Sequence, residues 1–107
     1  MKNLGGLMKQ AQEFQTKLAE LQTELEAMEI DGEAGGGMVK ARLDGKGYLK
    51  GLTIDPSLLS ADEKDVLEDL IIAAQNDARK KADERKAEEM QKLTGGLPLP
   101  PGFKMPV

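Results

Sequence analysis

Apolar residues fall on the first third of the chain with the spacing of one helical seam. Leu4, Leu7, Ala11, Phe14, Leu18, Leu21, Leu25 and Met28 are separated alternately by three and four residues. That spacing predicts a helix over residues 4–28 with an unbroken a/d stripe, its other faces carrying Gln, Glu, Lys and Thr. A narrow seam needs a partner helix. The partner is either the second helix of this chain or a second copy, and the stripe favours neither.

The period then changes. Asp31-Gly32 ends the helical pattern, and Val39, Ala41 and Leu43 alternate with Lys40, Arg42 and Asp44, which predicts a half-buried strand. A second alternation sets Tyr48, Leu52 and Ile54 against Gly51 and Thr53. Asp44-Gly45 suits a tight hairpin turn between these strands. Residues 29–34 supply a third strand, joined across Gly35-Gly36-Gly37. These glycines are read as a turn rather than a phosphate cradle, because no helix follows them. The product is an antiparallel meander with one apolar face.

Asp55-Pro56 closes the last strand. Ser60 and Glu63 have the spacing of a capping box, with Glu63 reaching back to the Ser60 amide. A helix is predicted from Ala61 to Leu93, with Val66, Leu67, Leu70, Ile71, Ala74, Ala78 and Ala82 on its apolar face. The stripe thins after Ala82, so the second half is expected to project from the core. Asp77/Lys81, Arg79/Asp83, Lys80/Glu84, Arg85/Glu89 and Glu88/Lys92 are spaced for i,i+4 pairs. Thr94-Gly95-Gly96 stops the helix. The segment that follows, LPLPPGFKMPV, holds four of the five prolines together with Leu97, Leu99, Phe103, Met105 and Val107. It reads as a free end or as a strap on an apolar groove, and its composition favours the free end. The expected fold class is α+β: a single α-β-β-β-α domain over residues 1–96 and a Pro-rich tail over 97–107.

Composition narrows the chemistry. The 107 residues include no cysteine and no histidine, which removes disulfides, thiol chemistry and the commonest acid–base group. The remaining carboxylates, lysines and single tyrosine show no convergent catalytic pattern, so no catalytic, cofactor-binding or metal residues are expected. The acidic cluster at Asp62, Glu63, Asp65, Glu68 and Asp69 lacks the loop of a calcium hand and is read as a charged first helical turn. No apolar run approaches the ~20 residues that span a bilayer, and no signal-peptide pattern opens the chain. A cytoplasmic protein without membrane or small-molecule partners is the expectation.

Net charge is −4, but it is unevenly placed. Residues 1–17 sum to +2 and residues 38–50 to +3, whereas residues 55–69 sum to −5. Residues 76–93 hold six bases and five acids. Local clusters, not net charge, decide phosphate contact. The bases Lys9, Lys17, Lys40, Arg42, Arg79, Lys80, Lys81, Arg85 and Lys86 can therefore bind an anion, although interleaved acids also suit a plain solvated face.

Several segments resemble the YbaB/EbfC family. They are NLGGLMKQAQEFQTKLAELQTELE, the Gly-rich GEAGGGMVKARLDG, LTIDPSLL, LEDLIIAAQNDARKKADE and the terminal TGG…LPPGFKMP, which together run over nearly the whole chain. The resemblance implies a homodimer with projecting, tweezer-like helices, binding of double-stranded DNA, association with the nucleoid, a role in gene regulation, and no cofactor. It carries a DNA-contacting role to the helical bases Lys9, Lys17, Arg79, Lys80, Arg85 and Lys86, with Lys40 and Arg42 as the strand contribution. The competing readings are a protein-interaction module attached to a DNA-processing complex and a purely structural assembly unit.

Overall fold

The computed structural model describes residues 4–93. Its order is helix α1 (Leu4–Ala27), strands β1 (Ile30–Ala34), β2 (Val39–Leu43) and β3 (Leu49–Ile54), and helix α2 (Lys64–Leu93). This is the expected α+β class. The expectations for the tail at 97–107 lie outside the described residues.

The three strands form one antiparallel sheet in the order β1-β2-β3. In β2, Val39, Ala41 and Leu43 are buried while Lys40 and Arg42 are exposed, as strict alternation requires. The β1–β2 turn runs through Gly35, Gly36 and Gly37, whose φ values of 64°, 67° and 93° lie in the left-handed region. Three consecutive residues of that kind are cheap only for glycine. Across β2 and β3, Val39 pairs with Ile54 and Ala41 with Leu52, and an irregularity at Arg42/Leu43 brings Leu49 opposite Leu43. Paired residues share a face, so Leu49, Leu52 and Ile54 extend the apolar face of β2. Tyr48 lies outside the strand and is exposed.

The β2–β3 connection differs from the expected two-residue turn. It spans Asp44–Tyr48, closed by the Asp44 N–H donating to the Tyr48 carbonyl at 2.9 Å. The Asp44 carboxylate accepts from the N–H groups of Lys46 (2.8 Å) and Tyr48 (3.0 Å), so a side chain organises the loop. Gly45 serves a different end: its N–H donates to the Leu25 carbonyl at 2.7 Å, and a Cβ there would stand 2.8–3.0 Å from Leu25 atoms. The hairpin thus sits directly on the last turn of α1.

Helix α2 lies over β1 and β2. Ala74, Ala78 and Ala82 are buried on its contact face, with Val39, Ala41, Leu43 and Leu58 beneath and around them. The approach is close because β1 presents Gly32 there. A Cβ at Gly32 would meet the Ala74 carbonyl oxygen and the Ala78 Cα at 2.6 Å. The Glu33 N–H then donates to the Asp77 carboxylate at 3.0 Å, fastening β1 to the helix.

The capping box does not form. Ser60 has extended backbone angles, but its hydroxyl makes no capping bond. The chain tightens instead into a 3₁₀ turn over Ala61–Glu63, where the Glu63 N–H donates to the Ser60 carbonyl, and α2 begins at Lys64. The turn satisfies an amide that the capping box would otherwise have had to serve.

The second half of α2 extends past the sheet but is not bare. Met90 is buried and Leu93 is partly buried against Leu18, Leu21, Leu25 and Met28 of α1. The two helices run antiparallel. The last turn of α1 rests on the hairpin that Arg79 also adjoins, while Leu18 and Leu21 lie with Met90 and Leu93. The heptad seam is therefore satisfied within the chain from Leu18 to Met28. Its N-terminal half is not: Leu4 and Leu7 are 58% and 60% exposed. The molecule is elongated, 72 × 25 × 17 Å.

Candidate nucleic-acid interface

Eight bases were expected to contact DNA, and the fold sorts them by whether their charge is already spent. Arg42, on the outer face of β2, stands across from Asp31 of β1. Its Nε donates to Asp31 Oδ1 at 2.8 Å and its Nη2 to Oδ2 at 3.4 Å, and Glu29 lies 3.7 Å from Nη1. The Arg42 hydrogen bond holds the Asp31 carboxyl below its ordinary value, against the opposing effect of desolvation. Arg79 pairs with Asp83 at 3.2 Å, its guanidinium lying beside Gly47 of the hairpin. Arg85 pairs with Glu89 at 3.2 Å. Glu89 also takes Lys92 at 3.3 Å, and these two bonds, that from Lys92 foremost, lower its pKa. The three arginines are thus matched to carboxylates.

The five lysines are not. Lys9, Lys17, Lys40, Lys80 and Lys86 form no ion pair among the described residues. Of the five i,i+4 pairs expected on α2, Asp77–Lys81, Arg79–Asp83 and Arg85–Glu89 are present. Lys80–Glu84 is not, and Lys92 turns to Glu89 rather than Glu88. Glu89 lies on the inner side of the arm, its side chain 11% exposed, where two bases reach it.

The lysines lie on three elements and do not converge. Lys9 and Lys17 stand on α1 away from its apolar stripe, along one open hollow with Glu13 and Glu20. Lys40 is exposed on the outer face of the sheet. Lys80 points outward from α2, and half-buried Lys86 lies seven residues after Arg79 on nearly the same face, roughly 10 Å along the axis. An array spread this widely fits a long polyanion better than a compact ligand.

Three further bases have structural duties that spacing alone did not reveal. Lys46 Nζ reaches Glu26 Oε1 at 2.7 Å, and Lys50 Nζ donates to the Glu26 carbonyl at 2.9 Å. Both fasten the hairpin to the C-terminal end of α1, where cations favour the helix dipole. Lys81 bridges Asp77 at 3.1 Å and the Asp31 carbonyl at 3.4 Å. The strand-to-helix bond from Glu33 N–H, and next that of Lys81, depress the pKa of Asp77. Among the described residues no cluster of three metal-ligating side chains occurs, and no helix is long and apolar enough to cross a membrane.

A helix, an antiparallel meander and a second long helix, with lysines dispersed over three elements, define an elongated α+β protein. The YbaB/EbfC DNA-binding family model matches residues 1–97, and the chain belongs to that family. It is 58% identical over 106 residues to a nucleoid-associated protein of Granulibacter bethesdensis, covering 99% of both chains. The corresponding identity to one of Rhodospirillum rubrum is 53%, again with 99% of both chains covered. An uncharacterized Helicobacter pylori protein of known crystal structure has a similar fold, with TM-score 0.73 at 27% identity over 89% of this chain and 97% of that one.

Proposed function

We propose that this protein binds duplex DNA as a homodimer, mainly through phosphate contacts, and acts in organising the nucleoid and in gene regulation without catalysing a reaction. The observation that carries the reading is the sorting of charge. In a chain of net charge −4, five lysines spread over α1, the sheet and α2 form no ion pair among the described residues, within a family defined by DNA binding. Unpaired lysines release counterions from DNA without first breaking an internal ion pair. Phosphate contacts carry no base information, so low sequence preference follows.

Two observations support the dimer. Helix α2 lies over β1 and β2 rather than β3, and Leu49 and Leu52 are 50% and 41% exposed on the apolar face. The outer edge of β3 is also unpaired among the described residues. A second copy over β3 would cover apolar surface and double the lysine array.

The test is fluorescence anisotropy with a short duplex at low salt. Lys80→Glu with Lys86→Glu should weaken binding at least about tenfold, since each reversal replaces a phosphate attraction by repulsion. Arg79→Glu with Arg85→Glu should cost distinctly less. Unchanged affinity in the lysine variant would refute the assignment.

A further inference from the structure

We infer that the N-terminal half of α1 is a docking surface for the chain's own C-terminal segment, residues 97–107. The surface is the uncovered part of the heptad seam. Leu4, Leu7 and Met8 are 58%, 60% and 60% exposed, Ala11 is exposed and Phe14 is half-buried. A row of large apolar side chains along one face of an isolated arm is what a second segment covers.

The place where α2 ends selects the occupant. Because the helices are antiparallel, α2 runs toward the N-terminus of α1, and its last residue, Leu93, packs in the cluster that holds Leu18 and Leu21. Beyond Leu18 the seam goes on, whereas Thr94-Gly95-Gly96 is the stop that the sequence sets for α2. Fourteen residues follow Leu93 in the sequence, and a chain leaving α2 in its own direction would meet the uncovered stripe without reversing.

Lengths agree. From Leu18 the helix rises about 10 Å to Ala11 and about 16 Å to Leu7 at 1.5 Å per residue. From Leu93 an extended Pro-rich chain advances about 12 Å to Leu97 and about 19 Å to Leu99 at 3.1 Å per residue. Leu97 therefore falls near Ala11, and Leu99 near Leu7. Exposed Val66 and Ile72 of α2 lie about 40 and about 31 Å of helix away from Leu93, out of reach of those leucines.

The chemistry agrees as well. A helix face offers no free backbone donors or acceptors, so the segment lying on it gains no sheet-like pairing. Residues 97–107 include four prolines, which have no amide hydrogen to satisfy, and five large apolar side chains. Tethering within a few residues gives an effective concentration on the order of millimolar, which favours this chain's own segment over that of a second copy. Lys9 lies two residues from Leu7, on nearly the opposite side of the helix, so the strap leaves it free for phosphate.

The sequence contains no cysteine, so pairs can be introduced in the full-length chain without background. The pairs Leu7→Cys/Leu99→Cys and Ala11→Cys/Leu97→Cys are oxidised in a glutathione buffer and compared with Lys9→Cys/Leu99→Cys, after circular dichroism confirms the fold. An intrachain disulfide should form at least about tenfold faster in the stripe-facing pairs, by proximity. Rates no faster than the control in both pairs would overturn the inference. So would efficient cross-linking between two differently tagged chains, each carrying one of the cysteines, because it would assign the strap to the partner copy.

Discussion

At the scale of the residue, Gly32 carries the heaviest packing constraint. A methyl group there would stand 2.6 Å from the Ala74 carbonyl oxygen and the Ala78 Cα, all of it backbone that cannot swing away. Gly32→Ala should therefore lower unfolding free energy in urea titration by about 2 kcal/mol or more, the range of overpacked cores. The carboxylates make a second residue-scale prediction. Asp31, Asp55, Asp77 and Glu89 are all held below their ordinary values of 3.8 and 4.5 by hydrogen bonds, from Arg42, Ser57, Glu33 and Lys92 respectively. A depressed folded-state pKa gives stability that is complete above the ordinary value and is lost as pH falls through the folded one. Thermal midpoints should be level from about pH 6 to 8, where no side chain of ordinary pKa titrates in a chain without histidine, and should fall below about pH 4. Asp77→Asn should flatten part of that acid limb, and a profile identical to the parent would contradict its role. None of these partners was legible in the sequence. The i,i+4 rule found three of the helical ion pairs, but Asp31–Arg42 and Asp77–Glu33 join residues 11 and 44 positions apart, and only strand register and helix placement bring them together.

At the scale of the element, periodicity read the fold well and the joints poorly. The helix over residues 4–28, the three strands and the long second helix follow from spacings of 3.5 and 2, which sequence displays directly. The hairpin loop and the start of α2 do not, because they turn on competition between local bonds. The Asp44 side chain takes over a turn expected of Asp44-Gly45, and a 3₁₀ turn replaces the capping box at Ser60. The seam was legible as apolar but not in its allocation. Met90 and Leu93, two apolar residues after the stripe of α2 has thinned, are what cover Leu18 to Met28. The apolar ledge on β3 yields the prediction proper to this scale. Leu52→Asp with Val66→Asp should convert a dimer to a monomer in sedimentation velocity while helical circular dichroism is retained, since both side chains are already more than 40% exposed in the single chain. An unchanged dimer would place the interface elsewhere.

At the scale of the whole molecule, an acidic chain binds a polyanion only if its bases are positioned apart from its acids. In the proposed reading the three arginines are matched to carboxylates, and Lys9, Lys17, Lys40, Lys80 and Lys86, which form no ion pair among the described residues, remain for phosphate. Sequence named the candidate bases but could not separate paired charge from unpaired charge, because pairing is decided by facing surfaces. The central claim, an electrostatic grip on duplex DNA by a dimer, is tested most directly by the salt dependence of affinity. Binding of a duplex of about 30 base pairs is followed by anisotropy from 50 to 200 mM potassium chloride. If each protomer engages about three unpaired lysines, the logarithm of the association constant should fall with the logarithm of salt at a slope of roughly −5. Binding that does not respond to salt, or no binding at 50 mM, would contradict it.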